Sequence, residues 1–381
     1  MSEVGTAPRP LAIGVVIATA AIFGLTYGLV SPLISLNLVK RGLGEGAIGL
    51  NAAMYALGVL LVAVFLPRLA ARFGLRSLSL TALAAAAVVL ALFPVAPWIW
   101  LWFPLRFCLG LASELLFVSS EAWLNGMATE ESRGRTMAAY TATLSLGYAV
   151  GPMILSVVGT DGATAYVIGA GITLAAFAVM ALSRVHAPRF DEPPTVRPLA
   201  YLKLAPVGIA ATALNAAIET AGLSFFAIYA MHSGWSEPGA ARLLSTLLVG
   251  AVLLQLPIGW LADRVDRRRL LIGLALLAAG GALVWPLILG NPYLAYPAIF
   301  LWGGVFVGVY TIALAHVGGR FSGGDLVGIY AVMSLAWGIG ALLGPATAGL
   351  AMEATPQGLP LFAAAACLGF AVLAWRLRKG A

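Results

Sequence analysis

Apolar stretches of about 20 residues, the length a helix needs to cross a hydrocarbon layer roughly 30 Å thick, recur along the whole chain. Read between breaks of charge, Pro, Gly and polar turns, there are twelve, near residues 11–38, 46–67, 77–96, 99–126, 135–158, 163–184, 204–231, 238–260, 269–289, 293–317, 326–351 and 357–376. This pattern excludes a water-soluble fold. Only 10% of residues are charged and 61% are hydrophobic, with a mean hydropathy of +0.97, whereas a water-facing surface needs about a quarter or more of its residues charged. The segment Ala18-Thr19-Ala20 resembles a signal-peptide cleavage site. Only Arg9 charges the leading segment, however, and the apolar run continues well past that point, so an uncleaved first helix is expected.

Basic residues set the expected orientation. With the N-terminus cytoplasmic, 18 of the 22 Lys and Arg residues fall on inner turns, against Lys40, Arg41 and Arg242 outside and Arg106 within a span. That bias places both termini in the cytoplasm of a multi-pass protein of a bacterial-type inner (plasma) membrane. The same placement explains the net charge of +7 without nucleic acid as a partner. The lipid bilayer is the expected surroundings, and the protein is expected to be a monomer.

Two elements occur twice. The turn Gly259-Trp260-Leu261-Ala262-Asp263-Arg264-Val265-Asp266-Arg267-Arg268 has an altered copy at Pro67-Arg68-Leu69-Ala70-Ala71-Arg72-Phe73-Gly74-Leu75-Arg76, 192 residues earlier. Gly147-Tyr148-Ala149-Val150-Gly151-Pro152 in the fifth span is matched by Gly340-Ala341-Leu342-Leu343-Gly344-Pro345 in the eleventh, 193 residues later. Glycines four apart share a helix face and admit a close neighbour, and the Pro permits a bend. Duplication at half the chain length predicts an all-α integral membrane fold of twelve transmembrane helices in two pseudo-symmetric six-helix bundles. The expected division is 1–184, a Pro-rich cytoplasmic linker at 185–203, and 204–381.

These repeats resemble the major facilitator superfamily along the whole chain. The 259–268 turn resembles its signature between paired helices, Arg106-Phe107-Cys108-Leu109-Gly110 its fourth-helix motif, and Gly147 to Pro152 the fifth-helix motif associated with antiporters. Glu121-Ala122-Trp123-Leu124-Asn125, then Arg133-Gly134-Arg135 and Ala138-Ala139-Tyr140, are similar to the YcaD-like branch. Ala71 stands where the first loop's acid would be, and Asp266 replaces a family glycine. The resemblance implies two bundles rocking about a central cavity that opens alternately to each side.

Ionisable residues within spans need a reason, because charge at mid-bilayer costs at least a few kcal/mol. Four stand out: Arg106, Glu114 and Glu121 on the fourth span, and Glu219 on the seventh. At 100° per residue the first three share one broad face. Glu121 fits two roles, a proton carrier or a structural acid pairing with Arg72 or Arg135. Glu114, two turns past Arg106, can neutralise it through a bridging water or a long reach, or attract a cationic substrate. Glu219 is the favoured carrier, with Asn215 one turn away: apolar surroundings tolerate the neutral carboxylic acid, which can release its proton when water or a cation arrives. The alternative is a protonated acid that only hydrogen-bonds to a neighbour.

Tyr27, Asn51, Tyr55, Tyr148, Asn215, Gln255, Tyr310, Ser334 and Trp337, with Arg106, are the candidates for lining a substrate cavity. Gating is assigned to Asp263 with Arg264, Arg267 and Arg268, to Arg72, and to Gly147, Gly151, Pro152, Gly340, Gly344 and Pro345. In this reading Asp263 pairs across its turn as an electrostatic catch for one conformation. No catalytic constellation, cofactor motif or metal-ligand spacing is present in the sequence, so no enzyme, cofactor or metal is expected. The leading expectation is a secondary active transporter exporting a small amphiphilic or cationic compound against protons. Two alternatives stand beside it: a proton-independent uniporter or lipid-like flippase, and a non-transporting receptor or assembly factor on the same fold.

Overall fold

The computed structural model describes residues 9–127, 130–183, 202–321 and 323–377. Twelve helices are long and apolar enough to cross a membrane: Ala12–Lys40, Glu45–Leu66, Leu75–Leu92, Ile99–Leu124, Arg135–Val158, Thr164–Leu182, Pro206–His232, Glu237–Ala262, Arg267–Ile288, Pro292–Arg320, Gly328–Ala354 and Gly358–Arg376. They are numbered here as the first to twelfth spans. All twelve expected runs are helical. The largest boundary difference lies in the third, which stops at Leu92 rather than residue 96, because Pro94 has no N–H to offer the carbonyl of Leu90 and the ladder ends there. The eighth span is interrupted, with helices at Glu237–Leu253 and Gln255–Ala262. Pro257 has no N–H to offer the carbonyl of Leu253, so the ladder breaks there.

Polar residues fix several helix starts. Ser236 caps the eighth span by accepting from Gly239 N–H, Asn291 caps the tenth at 3.0 Å from Tyr293 N–H, and Asp266 caps the ninth at 2.8 Å from Arg269 N–H. Each satisfies a donor that the first turn leaves orphaned. At the equivalent start of the third span stands Gly74, with φ of 77°, a conformation side chains rarely adopt. The duplicated turn is thus built in two ways, by a capping acid in one copy and by a glycine in the other.

The chain forms two compact units, one of residues 1–34 and 54–194, the other of 35–53 and 195–381. Within the first, the first span meets the fifth at Gly147 and Gly151, where a β-carbon would collide with backbone at Ala21, Leu25 and Leu29. The second span meets the fourth at Gly58 and Gly110, and the third packs on the fourth and sixth. Within the second unit the scheme repeats. The seventh span meets the eleventh at Gly340 and Gly344, against backbone of Ala213 and Ala217; the eighth meets the tenth at Gly250 and Gly303; the ninth packs on the tenth and twelfth. Small residues let helix backbones touch in the absence of a hydrophobic drive between spans.

The expected boundary at 184 does not convey that residues 35–53 cluster with the second unit. Lys40 pairs with Glu237 at 2.7 Å, Glu45 faces His232 at 4.0 Å, and Gly49 lies on the carbonyl of Pro345. Chain contiguity hides these contacts.

Cations close the helix ends. Arg76, at the start of the third span, donates to the carbonyls of Ala181 at 2.9 Å and Ser183 at 3.0 Å, at the end of the sixth. Arg268 donates to Ala374 at 3.0 Å, near the end of the twelfth, and Arg267 to Ala315 at 2.9 Å in the tenth. The last carbonyls of a helix lack intrahelical donors and carry partial negative charge, so a guanidinium satisfies both needs.

Candidate functional site

In the first unit the fourth span buries Arg106 to 2% exposure. Its Nη2 donates to Ser31 Oγ at 2.8 Å, and its guanidinium carbon lies 5.8 Å from the centre of the Tyr55 ring. Nε and Nη1 have no hydrogen-bond partner among the described residues. A buried guanidinium with two unused donors is costly unless something accepts from them. Among the described residues no carboxylate forms a direct ion pair with it, and Glu114 stands two turns further along the same span.

Around Arg106 the aromatic candidates gather. Tyr27 and Tyr55 have ring centres 4.9 Å apart, and Tyr27 and Tyr148 are 5.6 Å apart in an edge-on arrangement. Phe23 joins them, 6.3 Å from Tyr27 and 5.9 Å from Phe117. Phe117 continues to Tyr140, whose hydroxyl lies 3.1 Å from Ser120 Oγ, beside Glu121. Such offset and edge-on pairs stabilise packing beyond area burial alone. Sequence reading found the tyrosines and missed Phe23 and Ser31. The missed signal is helical spacing: Phe23, Tyr27 and Ser31 are four apart on one face of the first span.

Glu114 and Glu121 are both half-buried on the fourth span, two turns apart. Arg72, one of the partners expected for Glu121, lies 5.3 Å from the ring centre of its neighbour Phe73.

In the second unit Asn215 Nδ2 donates to Glu219 Oε2 at 3.0 Å, one turn along the seventh span. Asn215 is 6% exposed, and its Oδ1 has no partner among the described residues. Among the described residues Glu219 forms no ion pair, and its hydrogen bond is to the neutral Asn215 amide.

Other candidates fall elsewhere. Gln255 is committed to the break in the eighth span: Nε2 donates to Ala251 O at 2.6 Å and Oε1 accepts from Thr311 Oγ1 at 2.6 Å. Both ends of its amide are thus occupied, by the Ala251 carbonyl and by the Thr311 hydroxyl. Asn51 is 1% exposed, Tyr310 packs among apolar residues that include Val317 and Met333, Trp337 is half-buried and Ser334 exposed.

The gating residues are also redistributed. Asp263 is exposed and bonds to Arg267 at 3.5 Å within its own turn, not to Arg264 or Arg268. Arg264 stacks on Trp260, 3.6 Å from the ring centre, and donates to the carbonyl of that residue at 3.1 Å. The expected cross-turn catch is therefore reduced to one exposed pair, because the arginines are taken by carbonyls and an aromatic ring. Gly147, Gly151, Gly340 and Gly344 serve close helix packing, while Pro152 and Pro345 lie within continuous helices. Among the described residues no three His, Cys, Asp or Glu side chains are grouped as metal ligands.

The profile of the Major Facilitator Superfamily matches residues 16–236 and again 208–380. The chain is similar to the uncharacterized MFS-type transporter YfkF of Bacillus subtilis (strain 168), 24% identical over 89% of this chain and 88% of that one. An uncharacterized MFS-type transporter of Enterobacter sp. (strain 638), Ent638_1421, is 28% identical over 93% and 92%. In fold it is similar to the nucleoside transporter NupG, with TM-score 0.80 and 14% identity over 97% of this chain and 99% of that one. It is also similar to a bacterial homologue of the lysosomal transporter Spinster in an inward-facing conformation, with TM-score 0.78 and 14% identity over 97% and 96%.

Proposed function

The chain belongs to the major facilitator superfamily, and from that premise we propose that it is a proton-coupled antiporter exporting a small amphiphilic or cationic compound across a bacterial-type inner membrane. As a member of that superfamily it is a secondary transporter working by alternating access. The observation carrying the finer reading is the Asn215–Glu219 pair. A carboxyl group inside a span that is bonded to a neutral amide can gain and lose a proton without breaking an ion pair. Glu219 is thus assigned the proton, and Glu114 and Glu121 supply further acid on the opposite half of the duplicated plan. Both termini are placed in the cytoplasm by the distribution of Lys and Arg.

The test is flux in proteoliposomes with an imposed pH gradient, read with a fluorescent hydrophobic cation and an internal pH dye. Wild-type protein moves dye and protons in opposite directions. Glu219→Gln abolishes the dependence of dye flux on the gradient. Gradient-driven exchange that survives this change at the wild-type rate would remove Glu219 from the mechanism.

A second reading is favoured by Arg106. Its unused Nε and Nη1 beneath Tyr27 and Tyr55 suit a solute bearing acceptor oxygens, carried without protons. NupG, of the same fold, is a nucleoside transporter, which makes nucleosides the first solutes to try. Uptake of labelled nucleoside that is insensitive to the gradient and lost in Arg106→Gln supports this reading over the first.

A further inference from the structure

The second unit contains a cavity away from Glu219, Asn215 and Gln255. Its volume is about 260 Å³, far above the roughly 15 Å³ that one water needs. It lies where four spans end. Lys203 leads into the seventh span, Arg268 opens the ninth, Arg320 closes the tenth, and Leu377 follows the twelfth. Three permanent cations therefore line one cavity, and no carboxylate is among its described lining residues. None of the three forms an ion pair among the described residues. Lys203 and Arg320 are exposed and Arg268 half-buried, so three like charges converge on an open cavity, and an anion seated among them relieves their mutual repulsion.

The backbone points the same way. Val207 and Gly208, in the first turn of the seventh span, line the cavity, and the cap residue Ala205 supplies no side-chain hydrogen bond to that turn. Uncapped N–H groups and the positive end of a helix suit a phosphoryl oxygen. Arg268 is held in position by the Ala374 carbonyl. Gly208 lets the seventh span pack closely on the tenth at this wall, since a β-carbon there would meet the Val317 side chain. Leu204 and Phe321 add apolar wall beside the charges. The ends of four spans mark the boundary of the hydrocarbon layer, the level at which phospholipid phosphates lie.

We propose that this cavity is a binding site for an anionic phosphoryl group, held by Lys203, Arg268, Arg320 and the N-terminus of the seventh span. Two sources share that chemistry: the headgroup of an anionic phospholipid and free phosphate. The apolar wall and the depth at the membrane boundary favour the lipid.

The test uses full-length protein in a zwitterionic detergent and follows its thermal unfolding midpoint against phosphatidylglycerol, phosphatidylcholine and inorganic phosphate. Phosphatidylglycerol is expected to raise the midpoint saturably and phosphatidylcholine to leave it unchanged, since a ligand of the native state stabilises by mass action. Each neutralised cation weakens binding about fivefold, so K203Q/R320Q needs about 25-fold more phosphatidylglycerol for the same rise. If that double variant does not fold, R320Q alone carries the test, with a shift of about fivefold. Inorganic phosphate that raises the midpoint of wild type alone and displaces the lipid effect supports the site with the soluble anion as its source. Equal response to phosphatidylcholine, no response to any anion, or a variant response equal to wild type overturns the proposal.

Discussion

Arg76 and Arg268, 192 residues apart, make the same contact: each stands at the start of the third span of its six and donates to carbonyls ending the sixth. The duplication is therefore visible as a repeated hydrogen bond, not only as a repeated word in the sequence. Arg76→Gln and Arg268→Gln are each expected to cost ~1–3 kcal/mol, the range for hydrogen bonds to charged groups. Thermal unfolding in detergent checks this against Arg264→Gln, which loses a stacking contact on an exposed Trp260 and a solvent-exposed hydrogen bond to the same residue's carbonyl and should cost at most about 1 kcal/mol. Equal tolerance of Arg264→Gln and Arg268→Gln would show that the clamp contributes nothing.

Asp263 and Asp266 sit in one turn and do different work. Asp263→Asn should change stability by less than about 0.5 kcal/mol, because an exposed pair one turn apart contributes little. Asp266→Ala should cost ~1 kcal/mol through loss of the cap on the ninth span. The ranking is read from unfolding midpoints, and a larger loss in Asp263→Asn would return the catch to that residue.

Ser31→Ala removes the side-chain hydrogen bond that Arg106 makes, leaving a buried guanidinium further from satisfaction. The expected loss is about 2 kcal/mol. Ser79 offers the comparison: it is fully buried and its hydroxyl has no partner among the described residues, so Ser79→Ala should be neutral or stabilising. Both are measured as midpoints of the purified variants.

Gly344→Ala places a β-carbon on the backbone of Ala217, whereas at Gly222 nothing lies within 4 Å. The first substitution forces the seventh and eleventh spans apart and should cost ~1–3 kcal/mol. Gly222→Ala should leave folding intact, and it serves as the reference in a size-exclusion and melting comparison. A Gly344→Ala protein that melts with wild type would mean that the two spans separate freely.

The spans were legible because hydropathy over 20 residues is a property of the local sequence alone. The tyrosines near Arg106 were found because an intramembrane charge directs attention to its surroundings. What stayed hidden depends on partners far along the chain. Gln255 looks like a cavity residue until Thr311, 56 residues on, is seen to hold its amide oxygen while its own helix takes the amide N–H at Ala251. Arg76 and Arg268 were absorbed by the charge bias that sets orientation, which explains why they lie at one face but not which carbonyls they hold. The pairs Lys40–Glu237 and Glu45–His232 span about 190 residues of sequence, and neither has a local signature.

Residues 35–53 carry a mechanical consequence. Because they belong with the second unit, the chain passes between units three times, after Ile34, after Ala53 and after Pro194. The first two crossings lie inside helices, not loops. Pro32, two residues before the first crossing, has no N–H for the carbonyl of Gly28 and removes a rung of the ladder there. The first helix therefore meets its crossing with one backbone hydrogen bond fewer to resist bending, whereas the second crosses with its ladder unbroken by proline at Ala53.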